Sequence, residues 1–360
     1  MSGFLLPRHA ALPVYVPGAH EEGVGVIRLN TNESPYPPSP GVAKAIAREV
    51  GKLNFYNDPD CAALHAALAR ENGVSPDCVL ATNGSDEALY LAFLAFADGA
   101  HPIALPDVTY GYYALFAALH GIPLHRIALR EDFTVDPEDY MGLGEMIVLA
   151  NPNAPTGLAL GLPQIEAIAK ANPQNVVLID EAYIDFGGQT AAPLIAACDN
   201  LLIVHTYSKS RSMAGARLGY ALGDGALIAE LSRIHNAAGL YSVSRMAQAA
   251  GVAACEEADY YRKNCERIVQ TRAYAAQCLR EMGFEMTDSL GNFLFAKHPA
   301  IEARALARAL AERGILVRHF AGERTEDYLR ITVGTREQMQ TMLRATRDIL
   351  REMEATDEKR

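Results

Sequence analysis

The residues best suited to chemistry lie in one stretch, residues 201–219, LLIVHTYSKSRSMAGARLG. Its apolar start, residues 201–204, is typical of a buried parallel strand. A single lysine, Lys209, follows this predicted strand, and open α/β sheets bind ligands beyond the carboxyl ends of their strands. Desolvation and nearby cations lower the pKa of a lysine, and the free amine can form a Schiff base with a carbonyl group. The stretch therefore predicts a nucleophilic lysine at a strand end.

Side chains on both sides of Lys209 suit an anionic ligand. Thr206 and Ser208 carry hydroxyl groups that can donate to phosphate oxygens, and Arg217 carries a planar guanidinium that can bind phosphate through two hydrogen bonds. A Ser-Lys pair alone would more often be an exposed lysine in a polar loop. The recurrence of matching features elsewhere in the chain favours a binding site.

A second anion-binding pattern occurs at residues 79–88, VLATNGSDEA. The apolar residues 79–82 predict a short strand, and Gly84, Ser85 and Asp86 then form a turn into an apolar helix. Backbone N–H groups in the first turn of a helix lack intrahelical partners and bind anions. The strand, turn and helix together predict a site for a phosphate group.

The elements that must position these residues follow a repeated strand–loop–helix order. Apolar strands are predicted at residues 79–82, 101–105, 145–150, 176–180 and 201–204, with helices between them. This order predicts an α/β fold, a mostly parallel sheet covered by helices. Helices dominate after Asp224, at about residues 224–239 and along a segment from 244 to 282. Short strands at 284–286, 292–296, 315–317 and 328–333 then predict a second, smaller domain.

The net charge and the composition of the chain limit the classes of function. The 360 residues carry a formal net charge of −11, which argues against nucleic-acid binding. Six cysteines show no zinc-type spacing and ten histidines form no H-x-x-x-H pair, so no metal site is predicted. The longest apolar stretch, residues 88–97, is too short to span a bilayer, and the N-terminus is unlike a signal peptide. We expect a soluble, cytoplasmic protein.

The motifs, taken in order, resemble the fold-type-I pyridoxal-phosphate enzymes of the aspartate aminotransferase superfamily. The closer resemblance is to the histidinol-phosphate aminotransferase family. It is carried by LNTNESP, FYNDPD, TNGSDEAL, NPNAPTG, IDEAYIDF, YSKSRSMAGARLGY, GILVRHF and LRITVGTRE. These motifs span nearly the whole chain, and the set is specific although each motif alone is not.

The resemblance implies a pyridoxal-phosphate-dependent transferase fold of type I. In such a fold, residues 30–255 form a large domain with a mostly parallel seven-stranded sheet. Residues 1–29 and 256–360 together form a smaller α+β domain. The family also implies a homodimer with shared active sites, in which Tyr56 reaches the cofactor phosphate of the neighbouring subunit.

The resemblance assigns the cofactor contacts residue by residue. Lys209 holds pyridoxal 5'-phosphate covalently and moves the proton, Asp180 pairs with the pyridine nitrogen, and Tyr183 bonds the 3'-oxygen. Tyr110 stacks on the ring. As isolated residues, Asp180 would more often be a cap or turn acid, and Tyr110 a core aromatic at a helix start. The phosphate is assigned to Gly84, Ser85, Asp86, Thr206, Ser208 and Arg217.

The resemblance also assigns the substrate contacts, in the last motifs and in the N-terminal segment. Arg330 matches the arginine that binds the carboxylate of the amino donor, and Arg318 matches one that helps to bind the phosphate of histidinol phosphate. Asn32 and Tyr15 lie in segments that line the substrate side in relatives. For both, a structural role is nearly as good an interpretation.

The chain departs from the family pattern at Ala154. The family has an asparagine there, which bonds the cofactor's 3'-oxygen. Asn153, the preceding residue, is therefore assigned as a substitute cofactor contact, with Tyr183 acting alone as the other interpretation. Loss of one neutral hydrogen bond would cost about 1 kcal/mol, which retunes an enzyme without inactivating it.

The resemblance implies ping-pong transfer of an amino group between the pairs glutamate/2-oxoglutarate and histidinol phosphate/imidazole-acetol phosphate, a step of histidine biosynthesis. Two other enzymes of the same fold remain open at this point. One is an aminotransferase for aromatic or other amino acids, which differs mainly in its pocket lining. The other is a decarboxylase of a phospho-amino acid. A non-catalytic binding protein is disfavoured because Lys209 is present, the two expected domains account for the 360 residues and the net charge is acidic.

Overall fold

A computed structural model of the chain describes residues 4–10, 12 and 25–357. Its strands are β1 Ile27–Leu29, β2 Val79–Thr82, β3 Ile103–Pro106, β4 Leu124–Ile127, β5 Met146–Ala150, β6 Val177–Asp180, β7 Leu201–Thr206, β8 Gly219–Leu222, β9 Glu285–Met286, β10 Phe293–Lys297, β11 Ile315–His319 and β12 Leu329–Thr332. Its α-helices are α1 Pro7–Ala10, α2 Pro40–Val50, α3 Ala62–Asn72, α4 Ser85–Phe96, α5 Tyr112–His120, α6 Leu162–Ala171, α7 Gly225–Gly239, α8 Arg245–Glu256, α9 Ala258–Glu281, α10 Ala303–Ala311 and α11 Arg336–Asp357.

A seven-stranded sheet in the order β2-β8-β7-β6-β5-β3-β4 confirms the predicted mostly parallel sheet. Only β8 runs antiparallel to its neighbours, β2 and β7. The central strands β5, β6 and β7 bury both faces, which explains why their sequences are continuous apolar runs rather than alternating ones. Their side chains alternate between two hydrophobic clusters, one on each face of the sheet.

Strand β8 was not predicted from the sequence. It begins two residues after Arg217, and its four residues, GYAL, give no periodic signal. Gly219 is required at its start because a Cβ there would lie 2.3 Å from the backbone nitrogen of Ser85. The glycine therefore allows β8 to pack beside the N-terminus of α4, where the anion-binding turn was predicted.

A second, five-stranded sheet has the order β1-β11-β12-β10-β9. Strand β1 pairs in parallel with β11, so that Ile27 lies opposite Ile315. The N-terminal strand thereby joins a sheet otherwise formed by the last quarter of the chain, and α9, α10 and α11 supply its apolar core. The proposed domain boundaries at residues 29/30 and 255/256 agree with this pairing but stay a prediction.

The predicted helical segment 244–282 is divided into two helices, α8 and α9. The break is at Glu257, which has φ −109° and ψ 33°, outside the helical range. Its carboxylate accepts a hydrogen bond from the backbone N–H of Gly41 at 2.9 Å. A tertiary contact with the start of α2 thus accompanies the break, and the local sequence alone did not indicate it.

Candidate active site

Nine of the predicted site residues meet in one cavity of about 240 Å³, which we name the inner cavity. They come from the carboxyl ends of β6 and β7, from the first turn of α4, and from the loops that follow β3 and β7. Ala154 and Thr31 are among the other residues that line the cavity. The nine are Ser85, Asp86, Tyr110, Asp180, Tyr183, Thr206, Ser208, Lys209 and Arg217.

Lys209 lies three residues beyond the end of β7, at the centre of this group. Its Nζ donates to the backbone carbonyl of Thr31 at 3.0 Å and lies 6.0 Å from the centroid of the Tyr183 ring. Strands β6 and β7 are paired so that Asp180 lies opposite Val204. The predicted nucleophile and the predicted acid are therefore at the same edge of the sheet.

Asp180 is the last residue of β6 and is 5% exposed. It accepts hydrogen bonds from the Tyr113 hydroxyl at 2.7 Å and from the Ala182 backbone N–H at 3.1 Å. Burial destabilises its charged form and raises its pKa to about 6, despite both hydrogen bonds. Such a carboxylate would be strongly stabilised by a cationic partner, for example a protonated pyridine nitrogen.

Tyr113 is a site residue that the sequence analysis missed. Its side chain is fully buried, and its ring makes an edge contact with Tyr110 at 5.4 Å. Burial, and then contact with the Asp180 carboxylate, raise the pKa of its phenol well above the usual value, so it remains a hydrogen-bond donor. The spacing of three positions from Tyr110 could have indicated that both tyrosines face the same way.

Tyr183 receives a hydrogen bond from the Asn32 side-chain amide at 3.0 Å. Asn32 is fully buried, and its side-chain oxygen accepts from the hydroxyl of Thr332 in β12 at 2.9 Å. Asn292 donates to the Asn32 carbonyl at 2.9 Å. The sequence analysis assigned Asn32 to the substrate side, whereas the structure places it behind Tyr183, between the two sheets.

The anion-binding residues converge on the first turn of α4. The Arg217 guanidinium donates to Ser208 Oγ at 3.2 Å and to the Asp86 carboxylate at 3.3 Å. Thr206 Oγ1 donates to Ser208 Oγ at 3.0 Å. Gly84 has φ +82°, and a Cβ there would lie 2.6 Å from an Arg217 nitrogen. The glycine thus lets the guanidinium approach the helix N-terminus closely, which gives a cradle of hydroxyl, guanidinium and amide donors.

Tyr110 lies between the inner cavity and a second cavity of about 770 Å³, which we name the outer cavity. The Tyr110 hydroxyl donates to the Asp86 carboxylate at 3.1 Å. Lys209, Tyr183, Ala154 and Thr31 also line both cavities. The two spaces are therefore continuous at the lysine.

Arg318 and Arg330 both line the outer cavity. They lie directly opposite each other on the antiparallel strands β11 and β12. Arg330 donates to the Asn30 carbonyl at 3.1 Å, and both guanidinium groups lie within 6 Å of the Phe320 ring. Opposed like charges are unfavourable in a sheet. An anion bound between them would offset that cost, so the pair suits an anionic substrate.

Asn153, predicted as a substitute cofactor contact, has its side chain held by hydrogen bonds away from both cavities. It is 3% exposed and lines neither of the two cavities. Its amide donates to the Val108 carbonyl and to Thr156 Oγ1, each at 3.0 Å, and its oxygen accepts from Thr109 at 2.8 Å. Asn153 therefore anchors the loop before Tyr110, and Ala154 is the residue that faces the cavities.

Of the two remaining predicted residues, Tyr56 lines neither cavity. Tyr56 is 78% exposed and stacks on Tyr241 with ring centroids 4.6 Å apart. Tyr15 lies outside the described residues. Among the residues that the structure does describe, no group of three or more His, Cys, Asp or Glu side chains could hold a metal ion. No described helix is both long and apolar enough to cross a membrane.

Comparison with known proteins identifies this arrangement. Residues 24–345 match the family model "Aminotransferase class I and II". The chain belongs to this family. The aminotransferase is 45% identical over 343 residues to histidinol-phosphate aminotransferase 2 of Dechloromonas aromatica strain RCB, with 94% of this chain and 96% of that protein covered. It is also 45% identical to the histidinol-phosphate aminotransferase of Marinomonas sp. strain MWYL1, over 97% of this chain and all of that one.

A solved structure leads to the same family. Histidinol-phosphate aminotransferase from Sinorhizobium meliloti, in complex with pyridoxal-5'-phosphate, matches this aminotransferase with a TM-score of 0.88 and 25% identity. The match covers 98% of each chain. The type I transferase fold expected from the sequence is therefore confirmed, including its seven-stranded sheet.

Proposed function

We propose that this aminotransferase is a pyridoxal-phosphate-dependent histidinol-phosphate aminotransferase. Glutamate gives up its amino group and leaves as 2-oxoglutarate. Imidazole-acetol phosphate then enters the same cavity and leaves as L-histidinol phosphate. The observation that carries the proposal is the meeting of Lys209, Asp180 and a phosphate cradle in one cavity that continues into an arginine-lined one. The names of the relatives favour this substrate pair over other amino acids.

The inner cavity fits the expected cofactor by the chemistry of its donors and acceptors. The space that a Cβ at Gly84 would fill is occupied by Arg217, which reaches the helix N-terminus where a phosphate binds best. The buried Asp180 carboxylate suits the ring nitrogen, Tyr183 the 3'-oxygen, and Lys209 the aldehyde carbon. When bound, pyridoxal phosphate supplies an electron sink for the charge that develops at the substrate Cα.

The positions of the chain's own residues support the following proposed roles. The Lys209 amine is the base that takes the proton from the substrate Cα and returns it during the reverse half of the cycle. Its bond to the Thr31 carbonyl directs it toward the point where the two cavities join. Asp180 would hold its negative charge beside the ring nitrogen of the bound cofactor and would keep that nitrogen protonated. Tyr113 orients the Asp180 carboxylate through its 2.7 Å hydrogen bond.

The outer cavity would take both substrates in turn because both are anions. Arg330 would bind the carboxylate of glutamate in one half of the reaction and, together with Arg318, the phosphate of histidinol phosphate in the other, through paired hydrogen bonds. The ring of Phe320 lies within 6 Å of both guanidinium groups, and Tyr110 lines the same cavity. One cavity can therefore serve both halves of a ping-pong reaction.

We also propose a homodimer in which Tyr56 completes the phosphate site of the partner subunit. Tyr56 is strongly exposed in one chain and stacks on Tyr241, which is also exposed. Exposed apolar side chains precede it at Val50, Leu53 and Phe55. A second copy would bury these side chains. A cytoplasmic location is part of the same proposal, since all six cysteines are free thiols.

An absorbance titration of the purified protein tests the proposed function. We expect bound cofactor to give a visible band that changes when glutamate or histidinol phosphate is added in separate cuvettes. A response to glutamate without a response to histidinol phosphate would leave an aminotransferase with another second substrate. Absence of the lysine-linked band after reconstitution with pyridoxal phosphate would contradict the role of Lys209. Release of carbon dioxide instead of a keto acid would indicate a decarboxylase.

A further inference from the structure

Arg324 joins two parts of the aminotransferase that belong to different sheets. It lies in the loop between β11 and β12, and residues 320–325 of this loop line the outer cavity. We name residues 320–327 the cover loop. The Arg324 guanidinium donates to the Asp107 carboxylate at 2.8 Å and to the Leu129 carbonyl at 3.0 Å. It also donates to the Arg130 carbonyl at 2.7 Å.

Asp107 is well placed to receive this contact because it is itself fixed. It follows the end of β3, and its other carboxylate oxygen accepts from the backbone N–H groups of Val108 at 2.9 Å and Leu129 at 3.0 Å. Residues 107–111, which include Tyr110, line the outer cavity together with the cover loop. The Arg324–Asp107 ion pair therefore connects two walls of that cavity.

The environment of the pair favours a firm contact rather than a loose surface salt bridge. The Arg324 and Asp107 side chains are 31% and 24% exposed. The guanidinium lies 5.2 Å from the centroid of the Phe133 ring, which packs on Phe295 and Tyr328. Several hydrogen bonds from one guanidinium to fixed acceptors in two segments give geometric specificity that a single exposed ion pair lacks.

We propose that Arg324 is a positioning residue that clamps the cover loop against Asp107 and so keeps the outer cavity closed around its anionic substrates. Arg324 acts through Asp107 and the backbone of Leu129 and Arg130, and it takes no part in proton transfer. The proposal rests on the proposed function for the identity of the substrates. It assigns to Arg324 a role different from that of Arg318 and Arg330, which face the substrate.

The first experiment compares steady-state kinetics of Arg324→Met and Asp107→Asn in the holoenzyme. We expect Arg324→Met to raise KM for glutamate and for histidinol phosphate roughly tenfold, with kcat changed less than about threefold. Asp107→Asn should raise both KM values as well. If Arg324 instead bound substrate directly, Asp107→Asn would release a cation into the cavity and lower KM, and that result would overturn the proposal.

A double-mutant cycle and two further variants complete the test. KM of the double variant should not exceed the higher KM of the two single variants, because both changes remove the same interaction. Arg324→Lys keeps a positive charge and should raise KM less than Arg324→Met does. The control Arg313→Met, which removes an exposed ion pair with Glu352, should change neither constant. Additive effects of the two single changes would contradict the clamp.

Hydrogen exchange provides a readout that does not depend on the substrate. We expect the backbone of residues 320–328 to exchange faster in Arg324→Met and in Asp107→Asn than in the parent holoenzyme, with no change in β7. Unchanged exchange together with unchanged KM for glutamate would overturn the clamp. If the two variants exchange faster but the parent enzyme does not use histidinol phosphate, the clamp is supported and the proposed second substrate is refuted.

Discussion

The inner and outer cavities meet at Lys209 but are built in different ways. The inner cavity uses the carboxyl ends of neighbouring parallel strands, so that Asp180 and Lys209 are placed by the register of one sheet. The outer cavity is assembled from both sheets, and its walls are joined by Arg324 and Asp107, 217 positions apart. The comparison indicates that the chemistry depends on a buried, continuous framework, whereas substrate binding depends on contacts between separate parts of the fold.

Burial distinguishes the two cavities as well. Asp180 is 5% exposed, whereas the side chains of the clamp are about a quarter to a third exposed. Groups held by a packed sheet should respond to substitution with large changes in rate or stability. Groups held by contacts between parts attached to different sheets should respond mainly in KM. The following predictions test this contrast, beginning with the largest expected effect.

Replacing Lys209 by alanine should abolish the chemistry of the inner cavity. Loss of the base alone is expected to lower turnover by at least about 10³-fold, while the phosphate cradle can still retain cofactor. The measurement is kcat, followed as the formation of 2-oxoglutarate from glutamate. The visible spectrum is recorded on the same samples. Lys170→Ala, which removes an exposed lysine paired with Glu166, is the matched control. Near-normal turnover of Lys209→Ala would refute the assignment.

Replacing Arg330 by alanine should weaken both substrates, since one guanidinium serves both halves of the reaction. We expect kcat/KM to fall about 100-fold for each, the effect of losing a charge-assisted pair of hydrogen bonds. Arg318→Ala should affect histidinol phosphate more strongly than glutamate. If Arg330→Ala impairs glutamate only, the two substrates do not share this arginine.

Asp180 makes the stability of the cofactor-free protein depend on pH. Its pKa is raised from 3.8 to about 6 by burial, so the folded state is favoured while the carboxyl is protonated. This contribution is present below pH 3.8 and is lost as the pH rises through about 6. Relative to Asp180→Asn, the free energy of unfolding should fall by roughly 3 kcal/mol across that window. Denaturant unfolding of both proteins at a series of pH values measures this difference. If the free energy of unfolding depends on pH in the same way for the parent protein and Asp180→Asn, the prediction is wrong.

Asn32 offers the finest test because it connects the inner cavity to strand β12. Thr332→Val keeps the side-chain shape but removes the hydroxyl that bonds Asn32. We expect it, like Asn32→Ala, to cost about 1 kcal/mol of stability and to shift the pH dependence of the bound-cofactor spectrum, since Tyr183 loses its fixed partner. Thr332→Ser retains the hydroxyl and should behave as the parent protein. If the spectrum depends on pH in the same way in all three variants, Asn32 contributes to packing but does not influence the bound cofactor through Tyr183.

The sequence by itself determined the fold class, the mostly parallel sheet and the two anion-binding segments that line the inner cavity. It could do so because strand ends, glycine turns and functional side chains are adjacent in the chain, as at Gly84-Ser85-Asp86 and Thr206–Lys209. Most strands were predicted within two residues for the same reason, since buried parallel strands are continuous apolar runs.

The tertiary structure alone decided which residues support that chemistry. Asn153 points into the loop before Tyr110, Asn32 bonds Tyr183 across 151 positions, and Tyr113 reaches Asp180 across 67. Strand β8 and the Arg324–Asp107 clamp likewise depend on partners distant in the chain. Local spacing specifies a strand or a turn, but the direction of a buried polar side chain is set by which distant group can satisfy its hydrogen bonds, and only the folded chain brings those groups together.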